Sequence, residues 1–299
     1  MNQDRIKTKA QAFRDKKIVC GVGVGLRSVH YDHVLSRRPA VPWFEVISEN
    51  YMGLRGDQGG RPLEILEEAR RNYPIVLHGV SLNIGSADPL DKNYLTALKR
   101  LADRIDSPHV TDHLCWTGVK GQNLHDLLPL PYTAEGLNLI SSRAAQIQDI
   151  LGRPFALENP STYLAFRHSQ MPEWEFLAEA ARQAGCGILL DINNVYVSAK
   201  NHGFDPVEYL RNIPADSVIQ MHLAGYSHCG NLLIDTHDHP VSDPVWELYG
   251  EAVRLFGDVP TLIEWDDKIP PFGVLEKEAA RAEKIRRKIL GKRDCAALV

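Results

Sequence analysis

The stretch Ile219–Pro240 gathers side chains that can bind metal ions or transfer protons. It contains four of the twelve histidines and two aspartates, with apolar residues before them and Gly, Asn and Ser in the middle. Imidazoles and carboxylates this close together are costly to bury unless a partner compensates them, and a metal ion is a common partner. The stretch alone is equally consistent with an ordinary polar loop, so its position in the chain pattern decides.

The same residue types recur at the ends of other short apolar runs. Six successive runs end in His78, Asp112 with His113, Glu158, Asp191, His222 and Glu264. An earlier run carries Glu45, which is as consistent with a buried core carboxyl as with a site residue. Six polar run ends in succession are hard to explain as separate core groups, and we interpret them as one site.

Eight short runs, most of them separated by helix-like segments, organise the chain. They are Lys17–Gly25, PWFEVIS, PIVLHGV, PHVTDHLCW, RPFALENP, GILLDINN, SVIQMHLAG and PTLIEW. The segments between them, such as DKNYLTALKRLADRI, repeat apolar residues at helical spacing. This alternation predicts an α/β fold, either a (β/α)8 TIM barrel or an open doubly wound sheet with extra strands. In a barrel the carboxyl ends of all strands meet at one rim, where the six run ends would converge.

The chemistry of these donors favours a centre of several metal ions. Imidazole and carboxylate ligands, with an amide oxygen from Asn194 and no thiolate, suit iron, manganese or zinc better than magnesium or calcium. The donors outnumber the roughly four to six that one such ion uses. We therefore expect two or three metals, bridged by carboxylates such as Glu158 or Asp191.

Two segments that follow strands add candidate ligands. VSAKNHGFDP, which we expect to be a loop after the sixth strand, contains His202 and Asp205. IDTHDHP, after the seventh strand, contains Asp235 and His237, whose spacing places both on one side of an extended chain. His239 stands beside a proline and is a weaker candidate than His237.

The composition excludes several classes of function. The net charge of -4 gives no general attraction to nucleic acid or to anionic membranes. The five cysteines are scattered, without a C-x-x-C pair, which argues against a disulfide framework and a thiolate zinc site. No apolar run approaches the roughly 20 residues of a membrane span. We expect a cytoplasmic protein that binds neither nucleic acid nor membranes.

The 299 residues show no composition break that would divide two domains. A length near 300 is normal for a single α/β barrel, which commonly needs about 250 residues. We expect residues 1–16 to form an N-terminal arm and residues 17–299 to form one catalytic barrel domain, including a C-terminal helix.

An ordered set of motifs resembles a known family. The motifs are GVGVGLR, FEVISENYM, LHGVSLNIGS, DHLCW, ALENPSTYL, LLDINNVYVSAKNHGFDP, HLAGY, IDTHDHPV and LIEWD. Together they resemble the MbnB-like family of multinuclear non-heme iron-dependent oxidative enzymes, over nearly the whole chain from Gly21 to Lys268. The ordered set is highly specific, although no single motif is.

The resemblance implies a xylose-isomerase-like TIM barrel that holds two or three iron ions and uses dioxygen. It implies an oxidase that modifies side chains, chiefly cysteine, of a ribosomally made precursor peptide, usually with a small partner protein that presents the peptide. The ligands carried onto matching positions are His78, His113, Glu158, Asp191, Asn194, His202, His222, Asp235, His237 and Glu264. Among them, we expect Glu158, Asp191 and His237 to act in catalysis as well.

Two points stay open in the sequence. Tyr226 in HLAGY stands where the resembling family more often has histidine, which bears on the outer shell of one metal or on a substrate contact. The same scaffold and donors also suit a zinc- or manganese-dependent hydrolase or sugar isomerase, and fold alone does not choose between these chemistries.

Overall fold

Eight parallel strands close into a barrel. The structure is a computed structural model that describes residues 19–53 and 59–291. The barrel strands are β1 (Val22–Gly25), β2 (Phe44–Ile47), β3 (Ile75–Gly79), β4 (Val110–His113), β7 (Phe155–Glu158), β8 (Gly187–Asp191), β9 (Val218–Leu223) and β12 (Thr261–Ile263). Because β12 pairs with β1, the predicted (β/α)8 barrel is confirmed and the open sheet is excluded. The predicted arm over residues 1–16 lies outside the described residues.

Helices follow most of the barrel strands and pack around them. They are α1 (Tyr31–Arg37), α2 (Gly60–Arg70), α3 (Lys92–Arg104), α4 (Ala134–Leu151), α5 (Glu173–Ala184), α6 (Ile192–His202), α7 (Pro206–Asn212), α8 (Asp243–Phe256) and α9 (Phe272–Leu290). Local sequence sets their ends: the side chains of Asp91 and Thr133 accept hydrogen bonds from the first turns of α3 and α4. Gly152 and Gly185 end α4 and α5 in the left-handed conformation that glycine adopts at low cost.

The barrel interior has an apolar floor beneath a polar rim. Val76, Ala156, Leu189 and Leu262 are completely buried in small clusters inside the barrel. Each stands two positions before a residue of the predicted site. Because side chains two residues apart in a strand point to the same face, each strand places an apolar residue at the floor and a polar one above it.

Two short antiparallel hairpins extend from the carboxyl ends of the barrel strands. The first pairs β5 (Trp116–Val119) with β6 (Gln122–Leu128), and the second pairs β10 (Ser227–Cys229) with β11 (Leu232–Ile234). They follow β4 and β9, so they border the rim where the site residues lie. The sequence analysis did not predict them, because their short runs mix polar and apolar residues.

One predicted loop is wrong, because VSAKNHGFDP lies largely within α6 and the start of α7. The side chain of Asp191 accepts a hydrogen bond from the amide of Asn194, and Gly203 ends α6 in the left-handed conformation. These residues form an ordinary N-cap and C-cap pair, a sequence signal that predicts a helix here. Separately, no helix within the described residues is long and apolar enough to cross a membrane.

Candidate metal centre

Six strands bring the predicted residues to one end of the barrel. His113, Glu158 and Asp191 are the last residues of β4, β7 and β8. His78 and His222 are next to last in β3 and β9, and Glu264 directly follows β12. The strand register aligns His113 with Glu158 and Asp191 with His222. All six are nearly or completely buried, so they face one another rather than solvent.

The innermost group consists of His78, His113 and Glu158. The Nε2 atoms of both histidines lie 3.3 Å from Glu158 Oε2. The other ring nitrogens are held from behind, His78 Nδ1 by Thr111 Oγ1 at 2.7 Å and His113 Nδ1 by the Gly79 carbonyl at 3.2 Å. This pattern, with one ring nitrogen anchored and the other free for a ligand, is typical of metal-binding histidines.

The middle group consists of Glu158, Asp191, His222 and Glu264. Nδ1 of His222 lies 2.9 Å from Glu264 Oε2 and 3.6 Å from Glu158 Oε1. Its Nε2 faces away and lies 3.0 Å from Glu45 Oε1. Glu158 belongs to both this group and the innermost group, so its carboxylate has the position of a bridge between two ions.

The outer group consists of His237, Glu264 and Asp266. Nδ1 of His237 lies 2.8 Å from Asp266 Oδ2 and 3.5 Å from Glu264 Oε2. Its Nε2 lies 2.6 Å from Asp235 Oδ1, on the other side of the ring. Glu264 links this group to the middle one, so the three groups form a continuous row of donors.

Several ligand-type atoms in this row are buried without hydrogen-bond partners among the described residues. They are Glu158 Oε2, Asp191 Oδ2, Asn194 Oδ1, His222 Nδ1 and His237 Nε2. Buried polar atoms are nearly always paired, and a few unpaired ones in one place indicate a missing ion or water. Carboxylate, imidazole and amide donors of this kind fit iron, manganese or zinc. The donor set therefore fits the expected metal centre.

The electrostatics of the site also favour added positive charge. Burial raises the pKa of Asp191 to about 7, and the nearby carboxylate of Asp235 adds to the shift. Burial likewise raises the pKa of Glu158 well above its usual range. Carboxyl groups crowded together in a dry site resist ionisation unless a cation neutralises them. Bound cations would keep both groups as carboxylates.

Most of the predicted ligands lie in or beside this row, and one stands apart. Asp235 contacts His237, and the buried amide oxygen of Asn194 is unpaired. His202 is exposed at the last residue of α6, where its Nε2 lies 2.9 Å from Thr162 Oγ1. It belongs to none of the three groups. Its role as a ligand stays a prediction.

Two further expectations concern residues at the edge of the site. Glu45 supports His222 from behind rather than joining a group, and its Oε2 accepts a hydrogen bond from Gln220 Nε2 at 2.6 Å. Tyr226 stacks on Tyr196 with ring centroids 5.6 Å apart and is likewise outside the three groups. Tyr226 therefore contacts the helix α6 rather than a ligand group.

The sequence analysis missed three residues that the structure adds to the site. Asp266 lies two positions beyond Glu264, and the D-x-H spacing had drawn attention only to the seventh strand. Arg27, in the loop after β1, donates a hydrogen bond to Asp266. Gln220, two positions before His222, bonds to both Glu45 and His109. The period of two along β9 could have found Gln220, whereas nothing in the spacing pointed to Arg27.

The fold is shared with solved sugar-converting enzymes at low sequence identity. A xylose isomerase domain protein from Planctomyces limnophilus is 15% identical, with a TM-score of 0.55. The match covers 90% of this chain and 98% of that one. At this identity the likeness concerns the xylose-isomerase-like TIM barrel alone.

Sequence relatives are much closer and span nearly their whole length. A UPF0276 protein from Anaeromyxobacter sp. is 56% identical over 265 residues, covering 89% of this chain and 92% of the relative. A UPF0276 protein from Acaryochloris marina is 54% identical, covering 88% and 94%. The family model for the RiPP precursor modification enzyme MbnB/TglH/ChrH matches residues 21–287. RiPPs are ribosomally synthesised and post-translationally modified peptides, and this chain belongs to the MbnB/TglH/ChrH family of enzymes that modify their precursors.

Proposed function

We propose that the protein is a multinuclear iron-dependent oxidase that uses dioxygen to modify cysteine side chains of a ribosomally synthesised precursor peptide. The observation that carries this proposal is the row of three donor groups joined by Glu158 and Glu264. Membership in the precursor-modifying family supports a peptide as the substrate. We further propose that the reaction takes place in the cytoplasm, where thiols stay reduced.

The chain's own residues would divide the work at this centre. His78 and His113 would hold one ion with Glu158, and His222 with Glu264 and Asp191 would hold the next. His237 with Asp235 would hold a third ion. Bound iron would supply the capacity to reduce dioxygen and to bind a substrate thiolate. The apolar floor closes the centre from below, so a peptide would enter from the side of the two hairpins.

Substrate access supports a flexible, extended ligand at this rim. Leu124, Leu164 and Leu232 are exposed large apolar side chains beside the carboxyl ends of the strands. Tyr163 stands among them and accepts a hydrogen bond from the amide of Asp235 at 3.0 Å. A peptide could cover such side chains on its way to the metal row. We propose that a small partner protein presents the precursor peptide here.

The decisive experiment combines metal analysis with dioxygen consumption. The protein is purified without added metal, and its iron content is measured by mass spectrometry and Mössbauer spectroscopy. Short cysteine-containing peptides encoded beside the gene are then supplied, each with a Cys→Ser version as the matched control. We expect two or three irons per chain, dioxygen uptake and a mass change only with the cysteine peptide. Active protein that contains only zinc and consumes no dioxygen would contradict the proposal.

The alternative is a zinc- or manganese-dependent hydrolase or sugar isomerase, which the shared barrel alone leaves open. The same preparation, loaded with manganese or zinc, can be tested anaerobically on ketose and aldose sugars. The oxidase proposal predicts no sugar turnover without dioxygen, whereas an isomerase needs none.

A further inference from the structure

The carboxylate of Asp266 lies between a buried arginine and the histidine of the outer group. The NH2 atom of Arg27 donates to Asp266 Oδ1 at 2.5 Å. The other oxygen, Oδ2, lies 2.8 Å from Nδ1 of His237. Both oxygens of Asp266 therefore already have a partner in this arrangement.

Arg27 is itself held firmly in place. Its Nε donates to the carbonyl oxygen of Trp265 at 3.1 Å, and its residue is only 9% exposed. Gly25 leaves room for the guanidinium, because a Cβ at that position would lie 2.7 Å from Arg27 NH1. The backbone adds a further link, since the Asp266 amide donates to the His237 carbonyl at 2.9 Å. Arginine, carboxylate and imidazole are thus fixed relative to one another.

This arrangement decides which ring nitrogen of His237 faces a metal ion. An ionised carboxylate only accepts hydrogen bonds, so the contact with Asp266 requires the hydrogen on Nδ1. Nε2 then points to the opposite side, where it lies 2.6 Å from Asp235 Oδ1 without hydrogen-bond geometry. The amide of Asn193 holds that same Oδ1 at 2.7 Å, so Asp235 is also positioned. A cation bound by Nε2 and Asp235 would leave every one of these contacts intact.

A cation bound by Asp266 instead would have to displace one of its two partners. It would also approach a guanidinium that lies 4.0 Å from Glu264 Oε1, and the two positive charges would repel. The outer group as defined by distance is therefore a poorer ion site than the pair on the other face of the ring.

We propose that Arg27 and Asp266 are positioning residues, which hold His237 with its hydrogen on Nδ1 and present Nε2, together with Asp235, to the outermost metal ion. Asp266 is not a ligand in this proposal. The inference rests on the metal centre of the proposed function but not on its dioxygen chemistry.

The first test reads the ring nitrogens directly. The full chain is labelled with 15N-histidine, stripped of metal and reloaded with zinc, which is diamagnetic. Long-range 1H–15N spectra then report which nitrogen of His237 binds zinc, with His237→Gln identifying its signals. Zinc on Nε2 and hydrogen on Nδ1 support the proposal. Zinc on Nδ1, or a His237 ring unaffected by zinc, overturns it.

The second test measures zinc affinity in variants by titration. Replacing a carboxylate that orients a metal-bound histidine commonly lowers affinity by about 10- to 100-fold. We expect Asp266→Ala to weaken one zinc equivalent by this amount, Arg27→Gln to weaken it less, and Asp266→Asn to recover part of the loss through its amide oxygen. Equal losses in the Asn and Ala variants, or no loss in either, overturn the proposal.

A matched control comes from the same two loops. Lys268 forms an ion pair with Asp238, next to His237 in sequence, but this pair contacts none of the three groups. Lys268→Ala should therefore bind zinc like the parent protein. Thermal unfolding of each metal-free variant shows that it is folded before titration. Because both readouts use zinc, a failure of the oxidase activity does not alter them, and the two proposals can fail separately.

Discussion

His222 and Glu264 contact each other across adjacent strands, with Nδ1 2.9 Å from Oε2. Residue Glu264 is placed there by a backbone hydrogen bond from its amide to the Leu223 carbonyl at 2.9 Å. Burial disfavours both charges, but each group overcomes it with the help of the other. The pKa of His222 lies well above its usual value, and that of Glu264 lies well below. In the absence of metal a proton thus takes the place of a cation in this contact.

Glu158 is the residue whose loss should remove the most metal, because two donor groups share it. We expect Glu158→Ala to lower bound iron by more than one equivalent per chain, whereas His78→Ala should lower it by about one or less. Iron content measured by mass spectrometry on proteins purified in parallel checks this. Equal losses in the two variants would argue against a bridging role for Glu158.

The control for that prediction is a buried carboxylate away from the row. Glu173 accepts hydrogen bonds from Tyr132 and Tyr209 at 2.7 and 2.8 Å. Glu173→Gln keeps the shape and the acceptor oxygen, so its iron content should equal that of the parent protein. A loss of iron in this variant as well would mean that general destabilisation explains the Glu158 result.

Residues at strand ends were predictable from the sequence because a single rule places them. Once eight runs predict a barrel, the carboxyl end of each run must reach the same rim, so His78, Glu158 and Asp191 could be assigned together. Asp266 and Arg27 could not be assigned this way. They reach the site from loops, and loop geometry does not follow from a periodic pattern. Glu45 stayed ambiguous since a strand interior accepts a polar residue only when a partner, here Gln220, is also present.

Gln220 should contribute to stability through two buried partners. Its Nε2 donates to Glu45 Oε2 at 2.6 Å, and its Oε1 lies 2.7 Å from His109 Nε2. Gln220→Leu removes both contacts, and a buried polar group left unpaired costs about 1–3 kcal/mol. We expect the free energy of unfolding of the metal-free protein to fall by at least this amount in urea titrations.

The comparison for Gln220 is an exposed glutamine. Gln146 bonds only to Ser142 on the surface of α4 at 3.1 Å. Gln146→Leu should change the free energy of unfolding by no more than about 0.5 kcal/mol, as is usual for surface substitutions. If Gln220→Leu were equally mild, the buried chain from His109 to Glu45 would not stabilise the barrel.

His109 should make the stability of the metal-free protein depend on pH. Burial lowers its pKa from 6.5 to about 4. Between these values the unfolded chain binds a proton that the folded chain does not, so stability is full above pH 6.5 and decreases as the pH falls toward 4. The decrease amounts to about 3 kcal/mol.

The measurement is the free energy of unfolding from pH 7 to 4, compared between the parent protein and His109→Gln. The parent should lose stability relative to the variant only as the pH falls below about 6.5. His125 is exposed on β6, and His125→Gln should show no such difference from the parent. A constant difference between parent and His109→Gln across this range would show that His109 titrates normally in the folded state.

Gly225 should be essential for the position of His237. A Cβ at Gly225 would lie 2.1 Å from the carbonyl oxygen of His239, and the Gly225 carbonyl accepts a hydrogen bond from the His237 amide at 3.0 Å. Gly225→Ala must therefore push this loop away from the end of β9, while His78 and His113 keep their places. We expect the variant to lose about one metal equivalent and to keep the remainder. Gly273→Ala is the control, because its new Cβ meets nothing closer than 4.0 Å. Full metal content in Gly225→Ala would show that the loop is not needed to hold an ion.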